Sequence, residues 1–229
     1  MNTDKKQALS VHLKAIRRML IVSVASVAVL FVLFFYLLCG PLVDFVLAPV
    51  RARGIEVITT SVSEALMMQF KVCLIAAVIA GMPVIIWQVW IFVAPALYPQ
   101  EKRLFAALFF VALLLFVGGV AFCYCLVFPM AIDLFWSAAD GVASTLWSVK
   151  EYFNFVLSFV LPFGLMFELP VVVYMLARRG LVTYQKLAHS RKYVILVIAI
   201  IAAILTPPDA VSQCMLAIPM ILLYEVAAQ

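Results

Sequence analysis

The sequence predicts an all-α, polytopic membrane protein, and three observations carry that prediction. First, 68% of the 229 residues are hydrophobic, only 12% are charged, and the mean hydropathy is +1.20. A soluble domain is nearer half apolar and a quarter charged, so the surroundings that accept this much apolar surface are lipid. Second, the apolar residues come in long runs that, as helices, match a hydrocarbon core of roughly 30 Å. Third, the basic residues cluster at the ends of those runs, where membrane topology places them. No polar block is long enough to fold by itself, so residues 1–229 read as a single integral membrane domain.

The elements follow in order. An amino-terminal segment, 1–18, carries Lys5, Lys6, Lys14, Arg17 and Arg18 and precedes the apolar run Met19–Leu38. That run is longer than a signal-peptide core and no small-residue cleavage site follows it, so it reads as a retained first span. Residues 39–65 mix Pro41, Pro49 and Gly54 with Leu42, Phe45 and Val46, the composition of a partly buried outer cap. The second and third spans are Val72–Val93 and Leu104–Met130, joined by the inner loop 94–103. The second outer loop is 131–150, and the fourth span is Tyr152–Ala177. After the inner loop 178–192 come Tyr193–Leu205 and Cys214–Tyr224, apolar runs of 13 and 11 residues, short for a normal bilayer. They either cross a thinned membrane or form a re-entrant hairpin with "TPPD" (206–209) at its tip.

With the amino terminus inside, cytoplasmic segments hold 12 of the 16 basic residues, leaving Arg51, Arg53, Lys71 and Lys150 outside. The excess orients the chain with its amino terminus in the cytoplasm. The net charge of +5 therefore reflects topology, and no basic stripe interleaved with aromatics indicates nucleic-acid binding. The five cysteines, Cys39, Cys73, Cys123, Cys125 and Cys214, form no C-x-x-C pair and read as small buried hydrophobes. Phosphate-loop, zinc-protease and serine-hydrolase motifs are absent from the sequence, and the two histidines, His12 and His189, lie far from any intramembrane carboxylate or serine. The expectation is a protein without catalytic residues, metal or cofactor, driven by a partner or by the transmembrane potential.

Two carboxylates stand out. Glu168 lies ten residues before Arg178, about 15 Å along a helix and so near mid-bilayer. A carboxylate there costs ~2.5–3.5 kcal/mol on insertion scales, and it should face protein or water. Pro162 and Pro170 bracket it, each removing a backbone donor and favouring a kink that opens a polar pocket. Gln213 is a plausible neighbour on the last segment; the structural alternative for Glu168 is hydrogen-bond glue between helices. The second carboxylate is Glu101 in "FVAPALYPQEKR" (92–103), on a short inner loop stiffened by Pro95 and Pro99. It could accept a guanidinium through two parallel bonds, or form an ordinary surface pair with Lys102, Arg103 or the basic amino-terminal segment. Asp209 reads as a helix N-cap.

The segments "HLKAIRRML" (12–20), "QVWIFVAPALYPQEKR" (88–103), "FGLMFELP" (163–170), "RKYVILVIAIIAAILTPPDAVSQ" (191–213) and "LAIPMILLYE" (216–225) resemble, in order and across nearly the whole chain, the signature segments of the TatC family, the core subunits of twin-arginine protein translocases. The resemblance implies six transmembrane helices, the last two short, in a concave, cup-like bundle with both termini cytoplasmic, in a bacterial or archaeal cytoplasmic (inner) membrane. It implies a receptor that binds twin-arginine signal peptides of folded precursors and assembles with TatA- and TatB-type single-span proteins, and with further copies of itself, for export driven by the proton-motive force. Carried onto this chain, Glu101 would receive the arginine pair, with Phe92, Pro95, Leu97, Leu13 and Arg17 shaping the same inner surface. Glu168 and Gln213 would form an intramembrane polar patch for a partner's helix, Pro49 would belong to the outer cap, and Asp209 to the outer turn. One departure is Ala15, where the family usually has a glutamate. The competing reading from the residues alone is a proton-coupled small-molecule transporter that uses Glu168.

Overall fold

A computed structural model of the chain describes residues 3–93, 102–139, 146–178, 180, 183–206 and 210–228. Nine helices appear among them: α1 Thr3–Leu37, α2 Cys39–Arg51, α3 Val62–Val93, α4 Lys102–Phe122, α5 Phe128–Ala139, α6 Val149–Met166, α7 Leu169–Arg178, α8 Tyr184–Leu205 and α9 Ala210–Ala228. Among the described residues, five segments are long and apolar enough to cross a membrane: Lys14–Leu37, Val62–Ile91, Ala106–Ser137, Val149–Arg178 and Ala210–Ala227. The chain is thus a multi-pass, all-α membrane protein. Its only described strands, β1 (Val57–Ile58) and β2 (Trp147–Ser148), pair in parallel.

Two of the expected spans are compound. The third continues from α4 through a π-helical turn at Cys123–Val127 into α5. Pro129 has no amide to offer the Cys125 carbonyl, and the wider turn just before it absorbs that mismatch. The fourth expected span is broken rather than merely kinked: α6 ends at Met166 and α7 begins at Leu169. The short apolar cores near the carboxyl terminus lie within longer helices, because α8 starts at Tyr184 and α9 covers 19 residues.

Packing explains which faces meet. The larger core joins Leu47 and Val50 of α2, Val72 of α3, Phe128 and Ile132 of α5, Phe159 and Phe163 of α6, Ile198 of α8 and Leu216 of α9. A second cluster unites Met82, Ile86 and Trp90 of α3 with Ala112 and Phe116 of α4 and Val171 of α7. Trp90 is therefore packed between helices, whereas Trp87, on the same helix, is 45% exposed. Helix α1 is peripheral. It stacks Phe35 on Phe70 of α3 with ring centres 4.7 Å apart and lays Val27 against Gly81. Its other faces present Leu20, Val24, Val29 and Val32 outward, the pattern of a lipid-facing helix.

Candidate functional site

The intramembrane carboxylate occupies the break between α6 and α7. The Phe167 amide donates to the Phe163 carbonyl and the Glu168 amide to that of Leu165, both at 3.1 Å, so the chain closes α6 with a tightened last turn. The Glu168 carbonyl then accepts the amides of Val171 and Val172, also at 3.1 Å, and opens α7. Pro170 falls in the first turn of α7, where a missing amide costs no intrahelical bond. Two glycines hold the break in place. A Cβ on Gly164 would come within 2.5 Å of the Phe116 ring, and one on Gly119 within 2.8 Å of the Phe163 carbonyl and 2.9 Å of the Phe167 ring. Helices α4 and α6 thus approach to backbone contact, as small residues permit in membranes. Phe122 closes over Phe163 and Phe167, with ring centres 5.9 and 5.6 Å away.

In this setting the Glu168 side chain is half-buried, and its Oε1 is shielded from solvent without a hydrogen-bond partner among the described residues. Helix α7 packs on α9, which bears Gln213. The Gln213 amide, however, donates to the Ala199 carbonyl of α8 at 3.2 Å. Among the described residues no hydrogen bond joins the two side chains. A carboxyl with an unsatisfied oxygen inside the membrane-capable segment Val149–Arg178 can accept a donor from another chain, or carry a proton.

The opposite treatment is given to Glu64, which sequence reasoning passed over. Its Oε2 accepts the Thr60 amide (2.7 Å), the Thr60 hydroxyl (2.8 Å) and the Ser61 amide (3.1 Å). Its Oε1 accepts the Ser148 hydroxyl (3.0 Å) and the Lys150 amide (2.7 Å). One carboxylate therefore caps the starts of α3 and α6 together, placing negative charge at two helix N-termini. The Ser61-x-x-Glu64 spacing of a capping box was the available signal.

The same end of the molecule is stitched further. Pro49, inside α2, leaves the Phe45 carbonyl without its helical donor, and the Tyr124 hydroxyl supplies one at 2.8 Å. The Tyr152 hydroxyl donates to the Val46 carbonyl at 2.7 Å. Arg53 grips Asp133 of α5 through Nε (2.6 Å) and Nη2 (3.1 Å), and its Nη1 donates to the Pro49 carbonyl at 3.0 Å.

At the other end, Arg17 is exposed on α1. The antiparallel register set by Phe35–Phe70 and Val27–Gly81, carried on, brings it level with the end of α3 that leads into 94–101. Pro95, Leu97, Glu101 and Asp209 lie outside the described residues, and for Leu13 and Phe92 the description extends to the backbone of α1 and α3 alone. Arg191 of α8 pairs with Glu225 of α9 at 2.9 Å, and the Tyr224 hydroxyl donates to the Leu187 carbonyl, which ties those helices together.

Comparison with known proteins gives concordant findings. Residues 11–219 match the family model described as "Sec-independent protein translocase protein (TatC)". A protein of that name from Carboxydothermus hydrogenoformans is 38% identical over 225 residues, covering 98% of this chain and 92% of its own. Its namesake in Haemophilus influenzae is 36% identical over 227 residues, with 98% and 88% coverage. A crystal structure of the twin-arginine translocase receptor TatC superimposes with a TM-score of 0.88 at 36% identity, covering 95% of this chain and 96% of that one.

Proposed function

The chain belongs to the TatC family of Sec-independent protein translocase proteins, and on that premise we propose that it is the signal-peptide receptor and core subunit of a twin-arginine translocase. In this reading it sits in a prokaryotic cytoplasmic membrane with six spans and both termini inside. The loop carrying Glu101, which joins α3 to α4, takes the paired arginines of a folded precursor's signal peptide, with Arg17 of α1 helping to build the same inner surface. A bidentate guanidinium–carboxylate pair gives that loop geometric selectivity as well as charge attraction. Glu168 is the docking point for a polar group on the transmembrane helix of a TatA- or TatB-type partner.

The observation that supports the reading most is the unpartnered Oε1 of Glu168, buried at a helix break. An isolated chain gains nothing from such an atom, because a buried acceptor without a donor is destabilising by ~1–3 kcal/mol. A partner helix that brings a donor removes that penalty. The test is photocross-linking from a position beside Glu101 to a precursor whose signal peptide has two arginines. Wild type forms the adduct, Glu101→Ala loses it, and Glu168→Leu keeps it. An undiminished adduct in Glu101→Ala overturns the assignment.

A further inference from the structure

Between α3 and α6, at the end of the molecule that carries α2, three neighbouring cavities with shared lining residues make up an amphipathic cleft, and the geometry points to a binding site for an anionic phospholipid there. The upper cavity, about 270 Å³, is lined by Ser61, Ser63, Lys71, Lys150, Asn154 and Glu64. Lys71 donates to the Asn154 side-chain oxygen at 2.7 Å. Neither Lys71 nor Lys150 forms a salt bridge among the described residues, and both are exposed. Glu64 is the one carboxylate in this lining, and its two oxygens are already taken by five donors. Two ammonium groups against one saturated carboxylate leave a net positive pocket with hydroxyl and amide donors, the chemistry that receives a phosphodiester.

Below it, a cavity of about 290 Å³ runs from Lys71 and Asn154 down to Ile75 and Leu157. Those last two residues also line the third cavity, about 620 Å³, walled by side chains such as Phe34, Phe45, Ala76, Ala80 and Val160. The cleft thus passes from cationic at Lys71 and Lys150 to mainly apolar toward the middle of α3, with Tyr124 and Cys125 also in the lower wall. Lys71 stands at the boundary, nine residues into α3 and immediately before the apolar run, where a lysine can reach a headgroup while its stem lies along apolar surface. Charge and lining select the occupant: two lysines that form no salt bridge among the described residues stand above a lower cavity walled mainly by apolar side chains, a match to an anionic headgroup and its acyl chain. The phosphate lies between Lys71 and Lys150, and one acyl chain fills the space beneath α2. This site is separate from Glu168 and stands independently of the receptor reading.

The test is native mass spectrometry of the purified full chain titrated with dioleoylphosphatidylglycerol or dioleoylphosphatidylcholine. The expected preference for the anionic lipid is about 10–30-fold, the effect of two lysines on an anionic headgroup. Lys71→Gln combined with Lys150→Gln abolishes the preference, and Ala76→Phe weakens both lipids by filling the lower cavity. Thermal unfolding of each variant without added lipid separates ligand loss from misfolding. Equal binding of the two lipids by wild type, or an unchanged preference in a folded lysine double variant, overturns the proposal. Full competition by inorganic phosphate, with Ala76→Phe silent, reduces the cleft to an anion pocket and equally overturns it. A photo-adduct from Leu157 to a protein instead of lipid assigns the cleft to a partner chain.

Discussion

Glu64 and Glu168 are both largely withdrawn from water, and the molecule treats them in opposite ways. At the α2 end every oxygen of Glu64 is engaged, by donors from its own helix start and from residues 84 and 86 positions away. The surrounding groups follow suit, with Arg53 on Asp133 and two tyrosines on α2 carbonyls. At the α6–α7 break the packing is as tight, yet one oxygen of Glu168 is shielded and unpartnered. The difference teaches that the unsatisfied group is not a symptom of loose packing. Among the described residues, the carboxylate at the α2 end is satisfied within the chain, and the one at the α6–α7 break keeps an oxygen without a hydrogen-bond partner.

That contrast can be broken by substitution, in a series of decreasing effect. Glu64→Ala strips the acceptor from five donors at two helix N-termini and is expected to cause the largest loss, seen as a collapse in monodisperse yield and in the unfolding temperature. Gly164→Ala forces a methyl group into the fully buried Phe116 ring and should cost about 1–3 kcal/mol, measured by denaturant unfolding in detergent. Tyr124→Phe leaves the Phe45 carbonyl without a donor, a loss of about 1 kcal/mol by the same measurement. Asp44→Asn removes only an exposed pair with Arg51 and should shift stability by less than about 0.5 kcal/mol. Glu168→Leu sharpens the comparison: in the isolated chain it should be neutral or slightly stabilising, since it removes a buried acceptor that nothing satisfies. A loss there comparable to that of Glu64→Ala would erase the distinction.

The helices were legible because apolar runs of bilayer length have few other uses. Pro162 and Pro170 announced a disturbance near Glu168, but its position at 167–168 depends on Gly119 and Gly164 meeting Phe163 and Phe116 across helices, which no local pattern encodes. The place of Gln213 on the last apolar segment makes it a plausible neighbour of Glu168, and the resemblance pairs the two; the Gln213 amide donates to the carbonyl of Ala199, fourteen residues away. Glu64 carried a readable capping-box spacing for its first role. Its second, capping α6 through Ser148 and Lys150, depends on a tertiary approach that the sequence does not display. Arg53 and Asp133, 80 residues apart, illustrate the same limit. A positive charge between two apolar runs is visible in one dimension; its partner is not.

The most direct test of the central claim is co-purification of single-span TatA- and TatB-type partners with wild type and with Glu168→Leu, both in the full-length chain. The account predicts that the variant folds and binds signal peptide as wild type does, while the yield of partner falls at least several-fold. Recovery of partner at the wild-type yield would mean that the buried oxygen waits for nothing, and the claim would fail.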